Sequence, residues 1–288
     1  MIYRALAIGG IAQEILEERE TFYVHSIFKK GFNIVNHRQE LIFIGTDDNG
    51  TFPFGIQIDA QTRDQLLGKV HQQQTIKVSA NTIYIDAECQ LVWKVKQLAS
   101  FEAHMSDQVT QLRSCVAKYD FSEYEQGDFN SSYLRRFIYA LAHGSSEEVE
   151  RYYRFIIGRG QGLTPTGDDI LTGMLFIHFI NPYIRNHNLI ILKQLLRETL
   201  TTLVSETFLK CAQKGLFSSK ISVLQTEPTP DNIDRLIQVG SSSGKDTLYG
   251  VFVALTLRSG TYGEASSTCF RWKCNLTTKA RSDIRKSI

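Results

Sequence analysis

Two ten-residue segments, 164–173 and 241–250, share one pattern at a separation of 77 positions. In each copy small hydroxyl residues precede a turn glycine, an aspartate follows two positions later, and a second glycine follows the aspartate by four. The key positions are Gly167, Asp169 and Gly173 in the first copy and Gly244, Asp246 and Gly250 in the second. Residues four apart share a helix face. A glycine inside a helix costs about 1 kcal/mol relative to alanine. The pattern therefore predicts two helix starts whose helices cross closely at the later glycines.

The remaining patterns divide the chain into two kinds of structure. Short runs rich in Val, Ile, Phe and Tyr begin near residue 22 and predict strands at 42–44, 54–58, 75–78, 82–85 and 90–95, with a hairpin turn at Asn81. Helical periodicity follows the polar stretch 119–132. We expect an α+β protein with a β-rich domain at residues 1–118, a mainly α-helical domain at 119–262 and a basic, mobile tail at 263–288.

Start signals mark several helices of the second domain. Ser132 is the expected cap of one helix, and Ser145 with Glu148 forms a capping box for the next. A long helix is expected over 188–214. Thr229, followed by Pro230, is typical of the start of a helix over 231–238.

Composition excludes several classes of partner. The 32 basic and 30 acidic residues give a formal charge of +2, which does not favour nucleic acid or an acidic membrane surface. The longest apolar stretch, 170–180, is shorter than the ~20 residues of a membrane span. Five cysteines without a C-x-x-C pair predict a reducing, cytoplasmic location. We therefore expect a partner recognised locally, a small anionic molecule.

The two helix starts predict an anion site. A helix N-terminus presents unpaired N–H groups and the positive end of the helix dipole, and glycines let the main chain approach an anion closely. A P-loop is excluded because no Lys-Ser/Thr pair follows Gly167. The predicted binding residues are Gly160, Gly162, Thr164, Thr166 and Gly167 in the first copy and Ser241, Ser242, Ser243, Gly244 and Lys245 in the second.

Three carboxylates, Asp168, Asp169 and Asp246, are the predicted catalytic residues. A carboxylate repels a neighbouring anion, so it needs a separate role in such a site. Three roles are open: the carboxylates hold a magnesium ion that bridges to phosphate, they position an amine or amide of the substrate, or they act as a general base. Magnesium is the one cofactor that these residues suggest. Asp and Ser/Thr are also common helix caps, and the duplication favours function over capping alone. His25, Ser26 and Asn33 are the candidate contribution from the first domain, because pockets often lie between domains.

At these motifs the chain resembles a bacterial family, long catalogued as a domain of unknown function, that includes the AllH subunit of oxamate carbamoyltransferase. The resemblance rests on 160–173, 205–215, 240–250 and the weaker element 24–33, and it spans about residues 20–257. It implies purine catabolism, in which a carbamoyl group passes between oxamate and phosphate and carbamoyl phosphate is the product.

Two functions stay open at this point. One is a carbamoyltransferase-like enzyme, or a subunit of one, that acts with other subunits of a transferase complex. The other is a non-catalytic subunit that binds an anion or nucleotide and serves as a scaffold in a metabolic complex. Asp169→Asn or Asp246→Asn would abolish turnover at preserved ligand affinity in the first case and would weaken only binding in the second.

Overall fold

The computed structural model describes residues 1–94, 98 and 101–256, and it confirms the α+β class. One sheet holds the nine strands of the described residues, in the order β1-β9-β8-β7-β3-β4-β5-β6-β2. The β1–β9 and β5–β6 pairs are parallel and the others antiparallel. The strands are β1 (Ile2–Arg4), β2 (Ala7–Ile8), β3 (Thr21–Phe28), β4 (Gly31–Asn36), β5 (Leu41–Gly45), β6 (Gly55–Gln57), β7 (Thr75–Ser79), β8 (Thr82–Tyr84) and β9 (Gln90–Val92).

The start of the chain joins the two ends of this sheet. Ala5 N donates a hydrogen bond to Val92 O at 2.9 Å, and the next amide, Leu6 N, donates to Gln57 O at 2.7 Å. The sheet therefore curls back on itself around an apolar core that includes the fully buried rings of Phe22 and Phe32. Two short helices, α1 (Gly10–Glu17) and α2 (Ala60–Leu67), connect strands.

The rest of the described chain is helical. Among these helices α6 lies at the centre, buried on nearly all sides, as expected for a helix that is apolar all round. In the part of the chain that the structure describes, none of the helices has both the length and the apolar character of a membrane span. The helices are α3 (Val109–Val116), α4 (Ser131–His143), α5 (Ser146–Ile156), α6 (Thr166–Ile180), α7 (Asn186–Leu195), α8 (Leu203–Ala212), α9 (Ser219–Ser222), α10 (Pro230–Ile237) and α11 (Ser243–Thr256).

Most predicted elements are confirmed. The five expected strands are present, and Ser79 pairs with Thr82 across the hairpin turn that contains Asn81. Ser145 caps α5 and Thr229 caps α10. The sequence did not predict the strands β1, β2, β3 and β4 or the helices α1, α2, α3 and α9.

Two helix predictions were wrong. The cap of α4 is Asn130, whose Oδ1 accepts a hydrogen bond from Tyr133 N at 2.9 Å, so that the helix begins before Ser132. The long helix expected over 188–214 is two helices, α7 and α8. They separate because the Thr202 side chain accepts a bond from Ser205 N and thereby starts a new helix.

The sheet and the helices meet at an apolar cluster. Phe52 and Phe54, beside the sheet, contact Phe208 of α8 edge-on, with ring centroids 5.2 and 4.9 Å apart. The helical core also includes Ala103 and Leu112, although both precede residue 119, where the sequence placed the start of the helical domain. The predicted tail, 263–288, lies outside the described residues.

Candidate functional site

Helices α6 and α11 cross at the two later glycines of the repeated motif. A Cβ atom on Gly173 would collide with the carbonyl oxygen of Thr247, and one on Gly250 would collide with that of Ile170. Ile170 and Thr247 occupy equivalent positions of the two copies, so the contact is reciprocal. This packing confirms the predicted close approach and sets the helix starts side by side, with Thr164 Oγ1 and Ser243 Oγ 2.7 Å apart.

The turn glycines extend the duplication to the preceding helices. A Cβ atom on Gly167 would collide with the backbone carbonyl of Ile156 at the end of α5, and one on Gly244 would collide with that of Leu236 in α10. The α5–α6 and α10–α11 pairs are therefore two helix–loop–helix units of similar construction, related by the crossing of α6 and α11.

A cavity of about 470 Å³ lies between these helix starts, α8 and the sheet. Its size is within the range of small-molecule sites in proteins. One part of its lining is polar and comes from both halves of the chain: Lys30, Asn33, Thr164, Asp169, Ser243 and Thr247. Another part is aromatic: Phe28, Phe43, Phe52, Phe54 and Phe208.

Asp169, in the first turn of α6, is the carboxylate on the cavity wall. Its burial raises its pKa well above the ordinary value. The hydroxyls of Ser243 and Thr164 oppose this shift through hydrogen bonds, while the charges of Asp246 and Asp168 add to it. Its Oδ2 atom is buried and has no hydrogen-bond partner among the described residues. Asp169 therefore brings a carboxyl group with one unsatisfied oxygen to the junction of the two helix starts.

Both carboxylate oxygens of Asp168 already accept hydrogen bonds from the protein. Its Oδ1 accepts a bond from Gly158 N at 2.8 Å, and its Oδ2 accepts bonds from Ser205 Oγ at 2.6 Å and Thr201 Oγ1 at 2.5 Å. Burial raises its pKa, and these three bonds oppose the rise. The carboxylate fastens the loop before α6 to α8, and it is not among the described residues that line the cavity. The three bonds give Asp168 a structural role, and its catalytic role stays a prediction.

Asp246 lies against an aromatic pair. Its Oδ1 accepts a bond from Tyr124 Oη at 2.5 Å, and Tyr124 stacks on Tyr249 with ring centroids 3.9 Å apart. Burial and the bond to Asp246 raise the pKa of Tyr124 far above its ordinary value. Asp246 Oδ2 is buried and unpartnered within the described chain. The three predicted aspartates thus face different neighbours, and the described residues contain no cluster of three or more His, Cys, Asp or Glu able to hold a metal ion. The three aspartates expected to hold magnesium are therefore not brought together as one cluster in the described residues, and magnesium binding stays a prediction.

Only some of the other predicted binding residues line the cavity. Thr164, Ser243 and Gly244 line the cavity. Gly160, Gly162, Ser241 and Ser242 are exposed, Thr166 is half-buried, and Gly167 is packed on α5. Lys245 Nζ forms a salt bridge with Glu123 at 2.8 Å, and Lys245 is not among the described residues that line the cavity.

The first domain contributes through a hydrogen-bonded chain. Asn33 lines the cavity, and its Nδ2 donates to Ser26 Oγ at 2.9 Å, which in turn lies 3.1 Å from His25 Nδ1. A break in the β3–β4 register between Val24 and Ser26 places His25 in a bulge. Asn33 therefore reaches the site directly, and Ser26 and His25 reach it through Asn33.

Sequence reasoning missed Lys30. This residue follows β3, lines the cavity and donates from Nζ to Asn49 Oδ1 at 2.8 Å. Because that partner is a neutral amide, the bond does not neutralise the positive charge of Lys30.

Two family models match the chain. Residues 156–255 match the model described as oxamate carbamoyltransferase subunit AllH, and residues 4–100 match the AllH family N-terminal domain. Together they cover most of the sequence. The chain belongs to the AllH family. No solved structure matches it.

The cavity draws on both parts that define the AllH family. Asp169, Thr164 and Ser243 lie in the segment matched by the AllH subunit model, and Lys30 and Asn33 lie in the segment matched by the AllH N-terminal domain. Tyr124, the partner of Asp246, lies between the two matched segments. The polar part of the cavity is thus built from the family's two domains together.

Proposed function

We propose that this protein is a subunit of a carbamoyltransferase and that its cavity binds a small molecule with an amide at one end and an anionic group at the other. Oxamate and carbamoyl phosphate both have this form. The observation that carries the proposal is Asp169, which lines the cavity between two helix starts and whose buried Oδ2 has no hydrogen-bond partner among the described residues.

The unused acceptor favours an amide. A buried polar atom without a hydrogen-bond partner costs about 1–3 kcal/mol, and an amide N–H of a ligand would recover that loss. Protonated or ionised, a carboxyl group keeps an oxygen able to accept such a bond. Thr164 and Ser243, whose hydroxyl oxygens lie 2.7 Å apart, are close enough to the carboxyl group to oppose the rise in its pKa.

The surroundings of Asp169 favour an anion at the other end of the ligand. The N-termini of α6 and α11 supply the positive ends of two helix dipoles. The N–H groups of Gly167, Asp168, Asp169, Gly244 and Asp246 already donate to backbone carbonyls, so the dipoles act on the anion rather than these donors. Lys30 supplies a full positive charge from the sheet side of the cavity. An anion without an amide would meet the carboxyl group of Asp169, so this arrangement selects for molecules that carry both groups.

These contacts suit the transfer of a carbamoyl group to phosphate. Asp169 would hold the carbamoyl nitrogen, which fixes the carbonyl carbon for attack by a phosphate oxygen. Lys30 and the positive ends of the two helix dipoles would stabilise the negative charge that develops on the carbonyl oxygen during attack. The bond between the carbonyl carbon and the oxamate nitrogen then breaks. The nitrogen keeps the electron pair and takes the proton that phosphate gives up, so that oxamate and carbamoyl phosphate leave. Other subunits of the complex would supply the remaining contacts.

The test is a calorimetric titration with oxamate, carbamoyl phosphate, phosphate and a nucleotide, each with and without magnesium. We expect oxamate or carbamoyl phosphate to bind, and Asp169→Ala to weaken that binding at least about tenfold through loss of a charge-assisted bond. Asp246→Ala is the matched control, because it removes the equivalent carboxylate beside Tyr124 and should change affinity less than about threefold.

Other results would reject the proposal. Binding of the nucleotide alone would favour the scaffolding alternative. Equal losses in the two aspartate variants would show that Asp169 has no special contact with the ligand.

A further inference from the structure

The cavity is much larger than the small acids that its polar end suits. Oxamate occupies roughly the volume of three water molecules, about 90 Å³ at ~30 Å³ each, whereas the cavity measures about 470 Å³. The remaining space is bordered by phenylalanine rings, which offer water no hydrogen bonds. A second part of the ligand that is apolar would fill it better than solvent.

The aromatic wall is rigid. Phe52 and Phe54 stack with ring centroids 5.5 Å apart, and Phe208 contacts both edge-on. Phe43 contacts Phe52 edge-on at 5.4 Å. Phe54 is fully buried, while Phe43 and Phe208 are half-buried and line the cavity. Aromatic rings held in this way favour edge-on or offset contacts with another flat group.

The aromatic wall adjoins the polar end. Phe43 and Asn33 are directly paired across β4 and β5, and both line the cavity. Val204 and Phe208 lie one helical turn apart on α8 and extend the same wall. One ligand molecule can therefore contact the polar end and the rings at once.

We infer that the cavity binds an N-substituted amide acid: a ligand that keeps one amide N–H for Asp169 and an anionic group, and whose nitrogen carries a flat apolar substituent that packs on Phe43 and Phe208. The inference rests on the proposed function for its polar end and adds the class of substituent. The competing account, two small polar molecules bound together, leaves the phenylalanine wall without an apolar partner.

The experiment compares two ligands by calorimetry, oxamate and N-benzyloxamate, which share the carboxylate and an amide N–H. We expect N-benzyloxamate to bind at least about tenfold more tightly, since burial of an aromatic ring contributes at about 25 cal/mol per Å². Equal affinities would overturn the inference and leave the proposed function standing. Binding of neither ligand would overturn both.

Three variants test which part of the cavity binds the apolar substituent. Phe208→Ala should reduce the preference for N-benzyloxamate to less than about threefold while the affinity for oxamate stays within about twofold. Val204→Phe, which adds a ring beside Phe208 on the aromatic wall, should exclude N-benzyloxamate and spare oxamate. Phe179→Ala is the matched control, because Phe179 is half-buried and packs on Phe217 instead. A preference that survives both cavity variants would overturn the inference.

Discussion

The two helix starts of this protein have nearly the same backbone and different chemical surroundings. In both, a turn glycine packs on the preceding helix and a later glycine on the partner helix. Asp169 of the first copy lines the cavity beside Lys30 and Asn33, whereas its equivalent, Asp246, bonds to Tyr124. Glycines thus preserve the duplicated geometry, while the segments packed against each copy decide whether its aspartate meets a ligand.

The residues just before these aspartates differ even more. Asp168 is buried and accepts three hydrogen bonds, and the equivalent Lys245 is partly exposed and pairs with Glu123. The first copy therefore has two acidic residues with separate tasks, one structural and one facing the cavity. The second copy has one acidic residue, Asp246, which bonds to Tyr124.

The largest expected effect tests the shared backbone. Gly173→Ala and Gly250→Ala should each lower the free energy of unfolding by about 3 kcal/mol or more, because the added Cβ collides with a backbone carbonyl that cannot rotate away. Chemical denaturation measures the loss. Gly10→Ala is the control: nothing lies near its Cβ position, so the change should stay within about 0.5 kcal/mol. A large loss of stability in only one of the two variants would contradict a reciprocal contact between α6 and α11.

The next effect separates Asp168 from the cavity. Asp168→Asn should lower the free energy of unfolding by about 2–4 kcal/mol, since an amide cannot accept from Gly158, Thr201 and Ser205 together. Urea denaturation would show this loss, and a Ser205→Ala variant should show a smaller one of about 1 kcal/mol. If Asp168→Asn instead left stability unchanged and abolished ligand binding, the division of tasks between Asp168 and Asp169 would be wrong.

Replacement of Asp169 by Asn should have the opposite effect on stability: it should raise the free energy of unfolding. Its folded-state pKa is raised above the unfolded value of about 3.9, so the wild-type protein loses stability as the pH rises from that value through the folded pKa. Asp169→Asn stays neutral and should be the more stable protein at pH ~8, by about 1 kcal/mol or more, because one pKa unit corresponds to ~1.4 kcal/mol.

Urea denaturation between about pH 4 and pH 8 measures this gain, which should vanish near the acid limit. The control is Asp107→Asn, at an exposed position, which should differ from the wild type by less than about 0.5 kcal/mol throughout. A gain that is independent of pH would contradict burial of the Asp169 charge as its cause.

The smallest effect belongs to Lys245. Lys245→Ala should change the free energy of unfolding by less than about 0.5 kcal/mol, because its salt bridge with Glu123 is partly solvent-exposed. It should also leave the affinity for phosphate or oxamate unchanged, whereas Lys30→Ala should weaken it. Calorimetry on the two variants compares the contributions of Lys245 and Lys30 to affinity. A loss of affinity in Lys245→Ala alone would show that Lys245, and not Lys30, binds the anion.

The sequence predicted what depends on local spacing. The glycines four residues after Asp169 and Asp246 predicted the helix crossing, and alternation predicted five strands. It did not show which of two adjacent aspartates faces the cavity, because that depends on where α8 places Thr201 and Ser205. Tyr124 was missed because 122 positions separate it from Asp246. Strands β1 and β2, with three and two residues, are too short for any alternation to be visible.

Closure of the sheet also sets an order of events during synthesis. Ile2 pairs with Gln90, so β1 waits for its partner until 88 further residues have been made. At about 5–20 residues per second that wait lasts several seconds, with the edge of β1 unpaired. The cavity takes longer still, because Lys30 and Asn33 meet Ser243 only after the last described helix begins. Ligand binding thus reports the completion of both domains in each newly made chain.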